Sequence, residues 1–158
     1  MAGIVALHVF GGAFAEEIET TLVAEVRQEI PAPNGRKLAR LIPAATLHQG
    51  QEIFYTVRIR NAGAAAVRDV EVVQRIPENT VYVPRSAAGP GAEVSLSADG
   101  GITFGKEGTL TVTEQPTPVQ VPSTRPATAQ DYTHVRWRLR NPLAPGAVAL
   151  ARFRAVFR

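Results

Sequence analysis

Residues 52 to 60 alternate: Ile53, Tyr55, Val57 and Ile59 fall on one parity, Phe54, Thr56, Arg58 and Arg60 on the other. Side chains of an extended backbone point to opposite faces at each step, so this pattern predicts a half-buried β-strand. The same period runs from Glu16 to Ile30, with Ile18, Thr20, Leu22, Ala24, Val26 and Ile30 opposed to Glu19, Thr21, Glu25, Arg27 and Glu29. It returns near the end, where Val135, Trp137 and Leu139 share one face of 133–140 and Phe153, Ala155 and Phe157 share one face of 147–157. No segment after residue 15 carries a helical period, which leaves an all-β chain.

Glycine and proline punctuate these runs. Pro31-Ala-Pro-Asn-Gly35 ends the first strand, Asn61-Ala-Gly63 turns the chain after the second, and Pro77 stops the β-branched run Val67 to Ile76. The stretch Arg36 to Ile42 reads as a connector. Shorter strands are expected at 80–83, 92–97, 102–104 and 109–113, with Ala98-Asp-Gly-Gly101 as a hairpin turn whose glycines supply positive φ. The segment 114–130 carries Pro116, Pro118, Pro122 and Pro126 and is expected as an exposed extended loop. Seven to nine short strands at this spacing predict an antiparallel, immunoglobulin-like Greek-key β-sandwich, with a barrel as the alternative.

The first fifteen residues, MAGIVALHVFGGAFA, hold no charged side chain and end in a small-x-small pattern before Glu16. They read as an export signal, or alternatively as a retained apolar strand, followed by one domain over 16–158. The apolar run is too short to span a bilayer as a helix.

The chain has 158 residues and no cysteine, which excludes disulfides, thiol chemistry and Cys-type metal sites. Beyond residue 15 only His48 and His134 are available as histidine bases, no Gly-x-Ser-x-Gly elbow occurs, and Asp131 lies three residues from His134, an odd spacing that separates the two across a strand. Asp99-Gly-Gly reads as a turn, and no His-x-His or His-x-x-x-His pair offers metal ligands. The sequence therefore predicts no catalytic residues, no metal and no cofactor.

Charge is unevenly placed. Glu16 to Glu29 holds five Glu against one Arg, whereas Arg125 to Arg158 holds seven Arg against Asp131 alone. Within the second block, Arg136, Arg138 and Arg140 share one face of their strand, and Arg152, Arg154 and Arg158 stand opposite Phe153 on theirs. If the two strands lie in one sheet, these six form a cationic surface for an anionic polysaccharide, a lipid headgroup or another protein's carboxylates. Nucleic acid is not expected, because few aromatics are free to stack bases. The acidic first strand complements the arginines. It is expected beside them in the same subunit, or donated through Ile18, Leu22, Val26 and Ile30 to a neighbouring copy in a fibre.

Three stretches together resemble a conserved-repeat domain of unknown function found in bacterial and archaeal surface proteins. The first runs from Gln49-Gly50 through Tyr55-Thr56 to Asn61-Ala-Gly63. The second runs from Val70 through Ile76-Pro77 and Thr80-Val-Tyr82 to Ser97-Ala-Asp-Gly-Gly101-Ile-Thr-Phe104. The third is Thr133-His-Val-Arg-Trp137-Arg-Leu with Leu143-Ala-Pro-Gly146. The resemblance covers roughly 38–158 and implies an immunoglobulin-like module with an exported, structural or adhesive envelope role. The family's modules recur in long chains, whereas a single copy is present in this sequence.

Overall fold

The computed structural model describes residues 17–33, 35–114 and 122–158. The export-signal reading of residues 1–15 lies outside them, as do Asn34 and the middle of the Pro-rich segment, 115–121. Among the described residues there are ten strands and no helix: β1 (Ile18–Pro31), β2 (Lys37–Pro43), β3 (Glu52–Asn61), β4 (Glu71–Arg75), β5 (Thr80–Tyr82), β6 (Ala92–Ser97), β7 (Thr111–Glu114), β8 (Ser123–Pro126), β9 (His134–Leu139) and β10 (Val148–Phe157). Every pairing is antiparallel. The strands form a five-stranded sheet in the order β2-β1-β3-β10-β5, a three-stranded sheet in the order β4-β9-β6, and a small β7-β8 ribbon.

Ten strands exceed the seven to nine expected, for local reasons. The stretch expected as a connector, 36–42, is β2. It shows no alternation because most of it lies on both faces away from the core, and it is held by its ladder to β1 and a turn in which the Ala32 N–H donates to the Arg36 carbonyl at 2.7 Å. Within the expected loop 114–130, residues 123–126 pair with β7 as β8. The expected strand 102–104 is instead a bend. The Asp99 carboxylate accepts the Ile102 and Thr103 N–H groups, which turns the backbone away and leaves Ile102 83% exposed. Gly100 and Gly101 have φ of 81° and 89°, the conformation expected of that turn.

The inner faces of the two larger sheets share one core. Ile53, Tyr55, Val57 and Ile59 of β3, Ala151, Phe153 and Ala155 of β10, and Val135, Trp137 and Leu139 of β9 are all buried. Phe153 stacks on Tyr55 with ring centroids 4.8 Å apart and meets Trp137 from the opposite sheet at 6.1 Å. The Trp137 indole N–H donates to the Ala88 carbonyl at 3.1 Å, so the largest core side chain is both packed and hydrogen-bonded. Buried Asn61 pins the last crossing: its amide donates to the carbonyls of Ala65 (2.7 Å) and Leu143 (2.8 Å) and accepts from the Gly63 N–H. Leu143 in turn bridges Val67. These bonds fix the passage from β9 in one sheet to β10 in the other.

Candidate functional site

That crossing decides what the arginines can do together. Trp137 and Phe153 face each other across the core, so the side chains that alternate with them point to opposite outer surfaces. Arg136 and Arg138 lie on the outside of the three-stranded sheet, and Arg152 and Arg154 lie on the outside of the five-stranded sheet. Arg140 and Arg158 are exposed just beyond the ends of β9 and β10. The structure therefore does not gather the six into one surface.

On the three-stranded sheet the arginines are neutralised in register. Arg138 stands directly between Glu71 of β4 and Glu93 of β6. It donates to Glu71 at 2.8 Å, and this bond raises the guanidinium pKa further. Arg136 donates to the Ser95 hydroxyl at 2.9 Å, lies 3.7 Å from Glu71 and packs 4.3 Å from the centre of the Phe104 ring. His134 completes the row. Burial, with Arg75 opposite, holds its pKa below the usual histidine value, and its Nδ1 lies 3.0 Å from the Thr133 hydroxyl. That hydroxyl also lies 3.3 Å from the Ser97 carbonyl as its donor and accepts the Gly100 N–H, so it serves a turn. Asp131 is engaged elsewhere. Its carboxylate clamps Arg125 through two bonds of 2.8 and 2.9 Å, which hold its pKa far below the usual range.

The five-stranded sheet differs. Register places Arg152 opposite Thr56 and Arg58 opposite Leu150, so Arg58 and Arg152 are diagonal neighbours on the same face. Neither side chain has an ion pair or a hydrogen bond among the described residues. Around them Arg60 pairs with Glu19 at 3.1 Å, and Arg154 pairs with Glu52 at 2.9 Å beside the Phe54 ring. Val23 (41% exposed), Val148 and Leu150 (both 39%) fill the gaps. A shallow groove of about 220 Å³ crosses this face over Phe54, Thr56, Arg152 and Arg154, with Leu41 and Ser86 among its walls. The sequence pattern put Arg58 and Arg60 on the outer parity of β3. Only the β3–β10 register reveals them as neighbours of the terminal strand.

The residues considered for donation, Ile18, Leu22, Val26 and Ile30, belong to a strand paired within its own chain. Ile18 to Val26 run against β3, and Glu25 to Pro31 run against β2. Ile18 and Leu22 pack on the core and Val26 is part of it, while Ile30 stands on an exposed β1–β2 arm opposite Leu38. Of the acidic side chains of β1, Glu19 meets Arg60 and Glu29 meets Lys37, while Glu25 stands opposite Phe54 in the ladder.

Among the described residues no three His, Asp or Glu side chains come together as metal ligands, and no helix is long and apolar enough to cross a membrane. No protein-family model matches the sequence, and no curated protein matches it.

Proposed function

We propose that this chain is a non-enzymatic, exported module with a structural or adhesive role in the cell envelope, an immunoglobulin-like Greek-key sandwich that makes contacts through the outer face of its five-stranded sheet. The observation that carries this reading is the pair Arg58 and Arg152, without acidic partners among the described residues and set amid exposed valine and leucine, while Arg136 and Arg138 of the other sheet are matched. The fold reading draws support from the way successive strands change sheet between β3, β4, β5 and β6, and again between β9 and β10. The resemblance of 38–158 to a surface-protein module supports the envelope role. Buried Asn61, Gln74 and Ser97 each spend their hydrogen bonds on neighbouring chain, which suits a scaffold.

Native protein recovered from its source tests the proposal. Export predicts that it lies outside the cytoplasm and that its intact mass lacks residues 1–15. Full-length protein confined to the cytoplasm would overturn it. A second reading, a module for anionic glycans or lipid headgroups, draws on the same two arginines. It predicts polyanion binding that weakens steeply with ionic strength.

A further inference from the structure

We infer that the outer face of the five-stranded sheet is a docking surface for an acidic protein partner, with Arg58 and Arg152 as its charged anchors and Val23, Leu150 and the Phe54 groove as its apolar contacts. The inference deepens the proposed contact role and rests on it. Three observations select this occupant.

The first is charge. Arg58 and Arg152 have no acidic partner among the described residues, and their neighbours Arg60 and Arg154 each have one. The centre of the face is cationic and attracts carboxylates. The same charge disfavours a second copy docked face to face, because a two-fold contact would set these arginines against their own equivalents.

The second is the apolar content. Val23, Val148 and Leu150 stand between the arginines, with Leu41 overhanging the groove. A polysaccharide would gain little from valine and leucine side chains. A protein surface gains from both parts, and arginine together with aromatic side chains is the composition enriched at protein interfaces. These apolar side chains are also only about two-fifths exposed, too shallow to anchor a lipid bilayer.

The third is size. Strands β1, β3 and β10, about 4.8 Å apart and paired over roughly 30 Å, with the three-residue β5 at the edge, offer a face of about 400–500 Å². That lies below the ~800 Å² per partner of a standard stable complex and suits a weak or transient one.

The test uses the folded protein and three probes compared by amide chemical shifts: a peptide of two Glu-Ser-Val-Ser repeats, whose one strand face alternates carboxylate and isopropyl groups, a polygalacturonate oligomer, and vesicles of phosphatidylglycerol and phosphatidylcholine. The peptide is expected to shift the amides around Thr56, Arg58, Leu150 and Arg152 and to bind more tightly than the other two. Arg58→Glu with Arg152→Glu should weaken it by about tenfold or more, and Val23→Ser by a smaller factor. Should the charge reversal unfold the domain, Arg58→Gln with Arg152→Gln removes the charge alone and should still cost several-fold. Absence of peptide binding, shifts confined to Arg136 and Arg138, or tighter binding of polygalacturonate or vesicles would each overturn the inference. Because the assay needs no cell, its result stands apart from the fractionation that tests export.

Discussion

The outer faces of the two large sheets are both rich in arginine and differ in everything that decides whether arginine is available. On the three-stranded sheet, Arg138 sits between two glutamates in register and Arg136 is bonded to Ser95 and covered by Phe104. On the five-stranded sheet, Arg58 and Arg152 meet threonine and leucine across the ladder and have no acidic partner among the described residues. The two-residue spacing of the arginines along each strand is alike. Availability is set by which strand lies alongside, because a cross-strand neighbour about 5 Å away neutralises a charge that one across the core cannot reach.

The comparison presumes one shared core, and Trp137→Ala strikes at it directly. Emptying the space between Phe153 and the Ala88 carbonyl should cost roughly 3–5 kcal/mol in urea unfolding. Loss of only a few tenths would mean that the two faces fold independently. A finer test sets Glu71→Ala against the double change Arg58→Ala with Arg152→Ala. The first removes the Glu71 carboxylate that Arg136 and Arg138 share, leaving Glu93 beside Arg138, and should lose about 1 kcal/mol or less, as partly exposed pairs do. The second should leave thermal stability within about 0.5 kcal/mol of the parent, or raise it slightly by removing like charges. The opposite ranking would dissolve the contrast between the faces.

Acidity acts on one side of the comparison. Hydrogen bonds from Thr103, first its hydroxyl and then its N–H, hold the Asp99 carboxyl down to about 2. The fold therefore favours the ionised form. Its contribution is complete above the ordinary carboxylate value of 3.8 and is lost as pH falls through about 2. Asp99 is well exposed, so solvent screening limits that contribution to under about 1 kcal/mol. Burial of His134 favours its neutral form, and that contribution is complete above the ordinary histidine value of 6.5 and lost as pH falls from there through the lowered value of the folded state. Stability measured from pH 7 to pH 2 should thus fall in two stages, the lower one shared by Asp99 and the Arg125-clamped Asp131, and Asp99→Asn should shrink the lower stage while leaving the upper one in place. The smallest effect concerns salt. Between about 0.05 and 0.5 M the stability gap between Glu71→Ala and the parent should narrow by a few tenths of a kcal/mol, whereas the double arginine variant should move little relative to the parent.

Alternation made β1, β3, β9 and β10 legible, and it placed Trp137 and Phe153 inward, because each of these strands has one buried face over all or part of its length. It could not reveal β2 or β8, whose residues are largely exposed on both faces and so carry no parity. Nor could it reveal the charge surface. Parity assigns a side chain to a face of its own strand, and the sheet to which that strand belongs is settled by the crossing at 141–146, which depends on the Asn61 amide holding Leu143 some 82 residues away in sequence. Asp99 was readable as a turn residue, but its diversion of 102–104 out of strand geometry rests on bonds from Ile102 and Thr103 that composition does not announce.

The position of β10 bears on how the chain reaches this state. It is the last of the ten described strands in chain order, yet it lies inside the five-stranded sheet, pairing Val148 with Arg60 and Val156 with Glu52, roughly 90 to 100 residues back. Until it arrives, one edge of β3 is open, Tyr55 lacks its stacking partner and the groove face does not exist. Closure of the sheet therefore waits for residues 148–157 and is slow, with an interval in which copies lacking β10 expose a long apolar edge to one another. A chain shortened by its final ten residues should lose the sheet as a whole rather than merely its margin.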